Sequence, residues 1–171
     1  MGLLRVCTTQ ILEASFYFRL SEASGAPGGP QQHSLFVSGM LTAAFGTADI
    51  TLNSLSTASG SPQWLLLLFI PMAWTFVCPT EIIAFSDSFQ EFQSRGCNVA
   101  FASTDSEYSL LSWSTTSRKM GGIGDIKVPL ISDKNLRMSR DYGVLIEDEG
   151  IALRGMFLID PNRVVRHVRR R

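Results

Sequence analysis

The 171-residue sequence contains few cysteines and no net charge. Fifteen basic and fifteen acidic residues cancel to a formal net charge of zero, so no overall field would recruit nucleic acid or an anionic membrane. Its three cysteines, Cys7, Cys78 and Cys97, are too few and too widely spaced for a disulfide scaffold, and none belongs to a CxxC pair. The sequence therefore argues against a nucleic-acid partner and favours a reducing compartment.

Long apolar runs are also missing. The longest, residues 64–73, contains Pro71 and is far shorter than the ~20 residues that a membrane-spanning helix needs, so we expect a soluble protein without a membrane partner. Residues 1–20 mix arginine with glutamate and lack a clean apolar stretch before a cleavage site, so we assign no signal or transit peptide. We expect a cytoplasmic protein, with a mitochondrial location as the alternative.

The character of the chain changes near residue 63. Residues 21–61 are rich in Gly, Ser, Ala, Thr and Pro and nearly uncharged, which is typical of a linker or a poorly ordered surface segment. Leu65–Ile70 is then a continuous apolar run between turn residues, as in a strand buried on both faces. We predict a poorly ordered segment over residues 1–63 and one folded domain over residues 64–171.

Apolar spacing predicts alternating strands and helices in that domain. Pro79 suits the first turn of a helix, and apolar residues at helical spacing continue from Ile82 to Phe92 until Gly96. The other predicted elements are a strand at 98–103, a helix capped by Asp105 or Ser106, a strand at 128–131, a short helix at 136–142, and strands at 144–146, 151–159 and 164–168. This order predicts an α/β fold with a mixed central sheet flanked by helices.

The stretch WTFVCPTE, residues 74–81, places Cys78 at the start of the first predicted helix. A cysteine there could be a small buried hydrophobe. However, a thiol reacts as the thiolate, which the positive end of a helix and its unpaired N–H groups favour. Thr75 can bring a hydroxyl near the sulfur or near a bound oxygen atom, and Pro71 can hold the loop away from solvent. Polar residues around a buried thiol are less expected for a purely structural cysteine.

Residues 71–81, PMAWTFVCPTE, resemble the active-site signature P-x-x-x-T-x-x-C of the peroxiredoxins, in the form of the typical two-cysteine (AhpC/TSA) members. The stretches SDSFQEF, STDSEYSLLSW, RKMGGIGDIKVPLISD and SRDYGVLIEDEGIALRGMFLID agree in the same order, so the resemblance spans about Leu65 to Val168. It implies a thioredoxin-like fold and the two-electron reduction of hydrogen peroxide or an organic hydroperoxide, without a metal or another cofactor.

The same resemblance implies roles for five residues. Cys78 would be the peroxidatic cysteine, which attacks the peroxide and becomes a sulfenic acid. Thr75 and Arg154 would bind the peroxide oxygens, Pro71 would shield the sulfenic acid, and Glu81 would orient the arginine. A guanidinium suits this task because it stays charged and can donate to two oxygens at once. Taken alone, Arg154 would be interpreted as a solvated strand residue.

The sequence departs from the family's pattern at both ends. Nothing before Leu65 resembles the family's opening strands, and after Val168 the second active-site arginine, a long packing helix and the Val-Cys-Pro motif with the resolving cysteine are missing. We therefore expect a chain that is divergent at its N-terminus and truncated at its C-terminus, with an incomplete fold and impaired activity. Neither Cys7 nor Cys97 is assigned a role.

Two functions are consistent with these features. The first is a thiol-dependent peroxidase of cell redox homeostasis, which would use thioredoxin or another thiol reductant and could form a homo-oligomer. The second is a truncated, non-catalytic thioredoxin-like module that associates with full-length peroxiredoxins. A thioredoxin-type disulfide exchanger fits less well, because Glu81 and not a second cysteine lies three positions after Cys78.

Overall fold

A computed structural model describes residues 39–43 and 46–50 by their backbone, together with Leu55 and residues 61–171. All of these residues belong to one compact unit, Ser34–Arg171. Its strands are β1 Gly39–Ala43, β2 Gly46–Ile50, β3 Trp64–Phe69, β4 Cys97–Ser103, β5 Leu130–Ser132, β6 Leu145–Ile146, β7 Ile151–Ala152, β8 Gly155–Ile159 and β9 Val165–Arg170. Its helices are α1 Cys78–Asp87, α2 Phe89–Ser94, α3 Glu107–Thr115 and α4 Arg137–Asp141, with a 3₁₀ turn at Arg118–Met120.

Seven of these strands form one mixed sheet in the order β2-β1-β5-β4-β3-β8-β9. Strands β3, β4 and β5 run parallel, because helices connect them, whereas β1 and β8 pair in the antiparallel sense with β5 and β3. Strands β6 and β7 form a separate two-stranded sheet. The structure confirms the predicted mixed sheet flanked by helices.

The central strand β3 is buried on both faces, as its apolar run predicts. Leu65 and Leu67 belong to a core cluster on one side of the sheet, which also holds the aromatic rings of Phe69, Tyr142 and Phe157. Leu66 belongs to a second cluster, on the other side, together with the buried residues Cys78, Ile82, Leu110 and Trp113. Alternate side chains of a strand point to opposite faces, so one hexapeptide contributes to both cores and Cys78 packs into the second.

Strands β1 and β2 correct the prediction that residues 21–61 lack regular structure. They form a hairpin in which Gly39 pairs with Ile50, and β1 adds to the free side of β5 through pairs such as Met40 with Ser132. β1 pairs with the otherwise free edge of β5. The local composition of a segment cannot reveal a partner strand that lies far along the chain. Residues 1–38 lie outside the described residues, and the predicted domain boundary at residue 63 stays a prediction.

Two predicted elements are each divided in the structure. The predicted helix that begins near Cys78 becomes α1 and α2, which meet at Ser88. The predicted strand over 151–159 becomes β7, which pairs with β6, and β8, which pairs with β3, and the chain passes from one sheet to the other at residues 153–154. The second break sets the position of Arg154.

The remaining predicted elements are confirmed with shifted ends. The Ser106 hydroxyl caps α3 by accepting from the Ser109 N–H at 3.2 Å, which decides between the two predicted caps. The Asp105 carboxylate instead accepts from the backbone of Ala73. None of the described helices is both long and apolar enough to cross a membrane.

Candidate active site

Cys78 is the first residue of α1, as predicted, and it lies beyond the carboxyl end of β3. Pro79 lies in the first turn, where a missing N–H costs nothing. The Thr80 N–H and hydroxyl both donate to the Val77 carbonyl, at 3.2 and 2.8 Å, and so close this turn. The Cys78 side chain is 1% exposed. The sequence thus folds into a helix start whose partial positive charge lies beside a buried sulfur.

Arg154 reaches this sulfur from the break between β7 and β8. Gly155 pairs with Phe69, the last residue of β3. Arg154 therefore lies at the end of the sheet where the loop of residues 71–77 follows β3. Its Nη2 donates to Cys78 Sγ at 3.3 Å, which joins residues 76 positions apart. The predicted pairing of Cys78 with Arg154 is therefore present in the geometry.

Glu81 lies one helical turn after Cys78 and faces the same arginine. Its Oε2 accepts from Arg154 Nε at 3.3 Å. The Arg154 and Glu81 side chains are 38% and 40% exposed, so this ion pair adds little to stability. It does fix the plane of the guanidinium, and the remaining N–H groups of Arg154 can donate to an oxygen bound next to the sulfur.

Thr75 and Pro71 lie in the loop between β3 and α1, and both are partly buried. The Thr75 hydroxyl donates to the Met72 carbonyl at 3.3 Å, which is long for an O–H···O bond and easily exchanged for a better acceptor. Between them, Trp74 has a φ of 60°, a left-handed conformation that costs free energy in a bulky residue. The loop carries both predicted residues, and their roles toward a substrate stay predictions.

The surface of this loop is unusually apolar. Met72, Trp74, Phe76 and Val77 are all exposed, and Phe76 is 99% exposed. The sequence analysis did not identify this exposed apolar surface, although every residue of MAWTFV except Thr75 is apolar. It also missed Asp105, whose only signal was its place just after β4, where the carboxyl ends of neighbouring parallel strands meet.

Cys97, at the start of β4, lies in a different environment. Burial raises the pKa of its thiol to about 11, and its Sγ donates to the Asn98 carbonyl at 3.5 Å. At neutral pH it is a packed thiol, as the sequence suggests. Cys7 lies outside the described residues. Within residues 61–171 no three His, Cys, Asp or Glu side chains are grouped so that they could hold a metal ion.

Comparison with known sequences places this site in a family. The sequence model of the AhpC/TSA family matches residues 41–168. Peroxiredoxin TSA2 of Saccharomyces cerevisiae is 60% identical over 106 residues, which cover 62% of this chain and 54% of that protein. The mitochondrial thioredoxin-dependent peroxide reductase of Bos taurus is 42% identical over 169 residues, which cover 96% of this chain and 63% of that protein. The chain thus spans about half to two thirds of the length of these relatives.

Solved structures agree with the sequence matches. The reduced 2-Cys peroxiredoxin of Plasmodium vivax is 34% identical with a TM-score of 0.73, over 80% of this chain and 68% of that chain. The mitochondrial 2-Cys peroxiredoxin of Plasmodium falciparum is 34% identical with a TM-score of 0.70, over 80% of this chain and 79% of that chain. The family match begins at residue 41, within β1, so the expectation that nothing before Leu65 resembles the family was wrong.

Proposed function

Because the chain belongs to the AhpC/TSA family of peroxiredoxins, we propose that it is a thiol-dependent peroxidase that reduces hydrogen peroxide and organic hydroperoxides. Cys78 is the peroxidatic cysteine in this proposal. The observation that carries it is the contact of Arg154 Nη2 with Cys78 Sγ at 3.3 Å, with Glu81 holding the other side of the same guanidinium. A structural cysteine has no need of a cation oriented in this way.

The chemical step requires only the thiolate and the peroxide. The Cys78 sulfur attacks one peroxide oxygen, so that an S–O bond forms while the O–O bond breaks, and the leaving oxygen takes up a proton as water or an alcohol. The sulfur is oxidised by two electrons to a sulfenic acid, and the peroxide is reduced by the same two. Arg154 and Thr75 donate to the oxygens on which negative charge develops, and Pro71 shields the product.

An external thiol completes the cycle. One thiol condenses with the sulfenic acid to give a disulfide and water, and a second thiol then releases Cys78 as a thiolate. Thioredoxin is the proposed reductant, since relatives from Bos taurus and Echinococcus granulosus carry thioredoxin in their names. A homo-oligomer is a further proposal. We also propose a location in the cytoplasm or the mitochondrion. The match to a mitochondrial relative over 96% of this chain supports the second location.

The alternative, a non-catalytic module bound to full-length peroxiredoxins, is not favoured. Such a module would have no need to keep Cys78, Arg154 and Glu81 within hydrogen-bonding distance of one another. The two functions separate in solution, because a catalytic chain must fold alone with a cooperative melt, whereas a module that requires a partner would be expanded and would bind ANS.

Stopped-flow mixing of the reduced protein with hydrogen peroxide tests the proposal. We expect one equivalent of peroxide to be consumed in a fast single turnover when no reductant is added, with rapid oxidation of one thiol. A rate equal to that of free cysteine would reject the peroxidase function. Circular dichroism and size exclusion of the same sample would show whether the chain was folded when it was measured.

A further inference from the structure

The carboxylate of Asp105 holds the loop that carries Thr75. Its Oδ2 accepts from the Ala73 N–H at 2.7 Å, across 32 positions of the chain. Ala73 itself is 3% exposed, so its N–H has little access to water as an alternative acceptor. By comparison, the Thr75–Met72 bond within the loop is 3.3 Å long. The loop is therefore tied to the body of the protein just before its strained residue.

Asp105 is itself held firmly. The Ser103 hydroxyl donates to the same Oδ2 at 2.5 Å, and the Asp105 N–H donates back to Ser103 Oγ at 3.2 Å. The Asp105 carbonyl accepts from the Ser132 hydroxyl at 2.7 Å. Since Ser103 ends β4 and Ser132 ends β5, both buried, Asp105 is anchored to two parallel strands of the sheet. It can transmit their position to the loop.

The loop needs such an anchor because of Trp74. This residue follows Ala73 directly and has a φ of 60°, a conformation that persists only where the surroundings fix it. It is also partly exposed, so little packing of its own side chain holds it. The hydrogen bond from Ala73 to Asp105 fixes the chain on one side of Trp74, and Cys78 at the helix start fixes it on the other. Thr75 lies between these two points.

We propose that Asp105 is a positioning residue of the site, which acts through the Ala73 N–H to place the Thr75 hydroxyl beside Cys78. This inference rests on the proposed peroxidase function. Asp105 touches neither the sulfur nor a substrate; it sets the loop geometry in which Thr75 can meet a peroxide oxygen. Misplacement of a binding group by about 1 Å is enough to slow a reaction ~10²-fold.

The first experiment compares Asp105→Ala with Asp105→Asn. Loss of the acceptor should speed hydrogen exchange at the Ala73 amide and lower the second-order rate of peroxide reduction by about 10- to 100-fold. The asparagine variant keeps an acceptor oxygen, so it should recover most of the exchange protection at the Ala73 amide and most of the peroxide rate. Asp160→Ala is the matched control, because the buried Asp160 carboxylate also accepts a backbone N–H, that of Val164, but follows β8 at the end of the sheet away from the site. It should lower the melting temperature and leave the peroxide rate of the folded protein unchanged.

A double-mutant cycle separates positioning from general stability. If Asp105 acts through Thr75, Asp105→Ala should cost little further rate in a Thr75→Val background. Fully additive losses of peroxide rate in the double variant would overturn the proposal. So would an unchanged hydrogen-exchange rate at the Ala73 amide in Asp105→Ala. If Asp105→Ala does not fold, Ser103→Ala replaces it, and an unchanged amide exchange there would also overturn the proposal. Hydrogen exchange requires no peroxide chemistry, so it still decides the role of Asp105 if the wild type proves not to be a peroxidase.

Discussion

The two described cysteines begin regular elements, yet their surroundings differ in charge. Cys78 begins α1 and lies 3.3 Å from a guanidinium nitrogen of Arg154. Cys97 begins β4, and burial raises the pKa of its thiol to about 11. Cys78 is the more deeply buried of the two. Burial alone therefore does not distinguish Cys78, the proposed reactive cysteine, from Cys97; a neighbouring cation and a helix start do.

The two cysteines also lie at opposite ends of the central strands. Cys97 pairs with Trp64, the first residue of β3, whereas Cys78 follows the carboxyl end of that strand. A strand of this length separates the two ends by roughly 20 Å at ~3.3 Å per residue. Disulfide formation requires Cα atoms within about 7 Å. The folded protein therefore keeps Cys97 away from an oxidised Cys78.

The largest expected effect follows from removing each thiol in turn. Cys78→Ser should lower the rate of peroxide consumption by at least about 10³-fold, because the hydroxyl of serine is a far weaker nucleophile than a thiolate. Cys97→Ser should leave the rate within about two-fold of the wild type. Stopped-flow measurements on the two variants check this, and equal losses in both would erase the contrast between the two cysteines.

The next effect concerns the cation that distinguishes Cys78. Arg154→Lys keeps the charge but loses the planar fork that contacts both the sulfur and Glu81. We expect about a 10²-fold slower reduction of peroxide with the melting temperature preserved. Arg140→Lys is the matched control, since Arg140 also pairs with an exposed carboxylate, that of Glu147, through two hydrogen bonds. Equal rates for Arg154→Lys and wild type would assign Arg154 a structural role.

Oxidation by excess peroxide should follow the same contrast. With no thiol added, graded peroxide should carry Cys78 past the sulfenic acid to the sulfinic acid, whereas Cys97 should take up at least about ten-fold less oxygen because it stays protonated. Mass spectrometry of the intact protein and its peptides measures both. Quantitative formation of a disulfide from Cys78 to Cys97 or Cys7 would contradict this and would reveal a resolving partner.

The smallest expected effect is a pH dependence of stability that comes from Cys97. In the unfolded chain its thiol loses its proton near the ordinary pKa of 9.0, whereas the folded protein holds it to about 11. Between these two pKa values the unfolded state binds fewer protons than the folded state. The contribution of Cys97 to the free energy of unfolding is therefore complete below pH 9.0 and is lost as the pH rises to about 11. The expected loss is about 1–2 kcal/mol. Denaturant unfolding of wild type and Cys97→Ala against pH measures it, and identical pH profiles would refute it.

Local sequence was sufficient to place most of the fold. The apolar run at Leu65–Ile70 and the helix start at Pro79 came out as predicted, because periodicity and proline chemistry act within a few residues. For α3 the sequence narrowed the cap to Asp105 or Ser106, and the structure shows Ser106. The hairpin of β1 and β2 was missed because β5, the partner strand of β1, lies about ninety positions away, and the break after β7 was missed because it depends on the pairing of β8 with β3.

For the site, the sequence by itself determined the proposed nucleophile, Cys78, and its helix. The signature around Cys78 names the thiol, and Pro79 fixes where α1 begins. Only the tertiary structure decided what surrounds the sulfur. The register of β8 on β3 delivers Arg154, and the ends of β4 and β5 hold Asp105 against the loop. The side-chain hydrogen bonds among these contacts join residues 27 to 76 positions apart, and no local preference encodes them, because they exist only when the sheet is assembled.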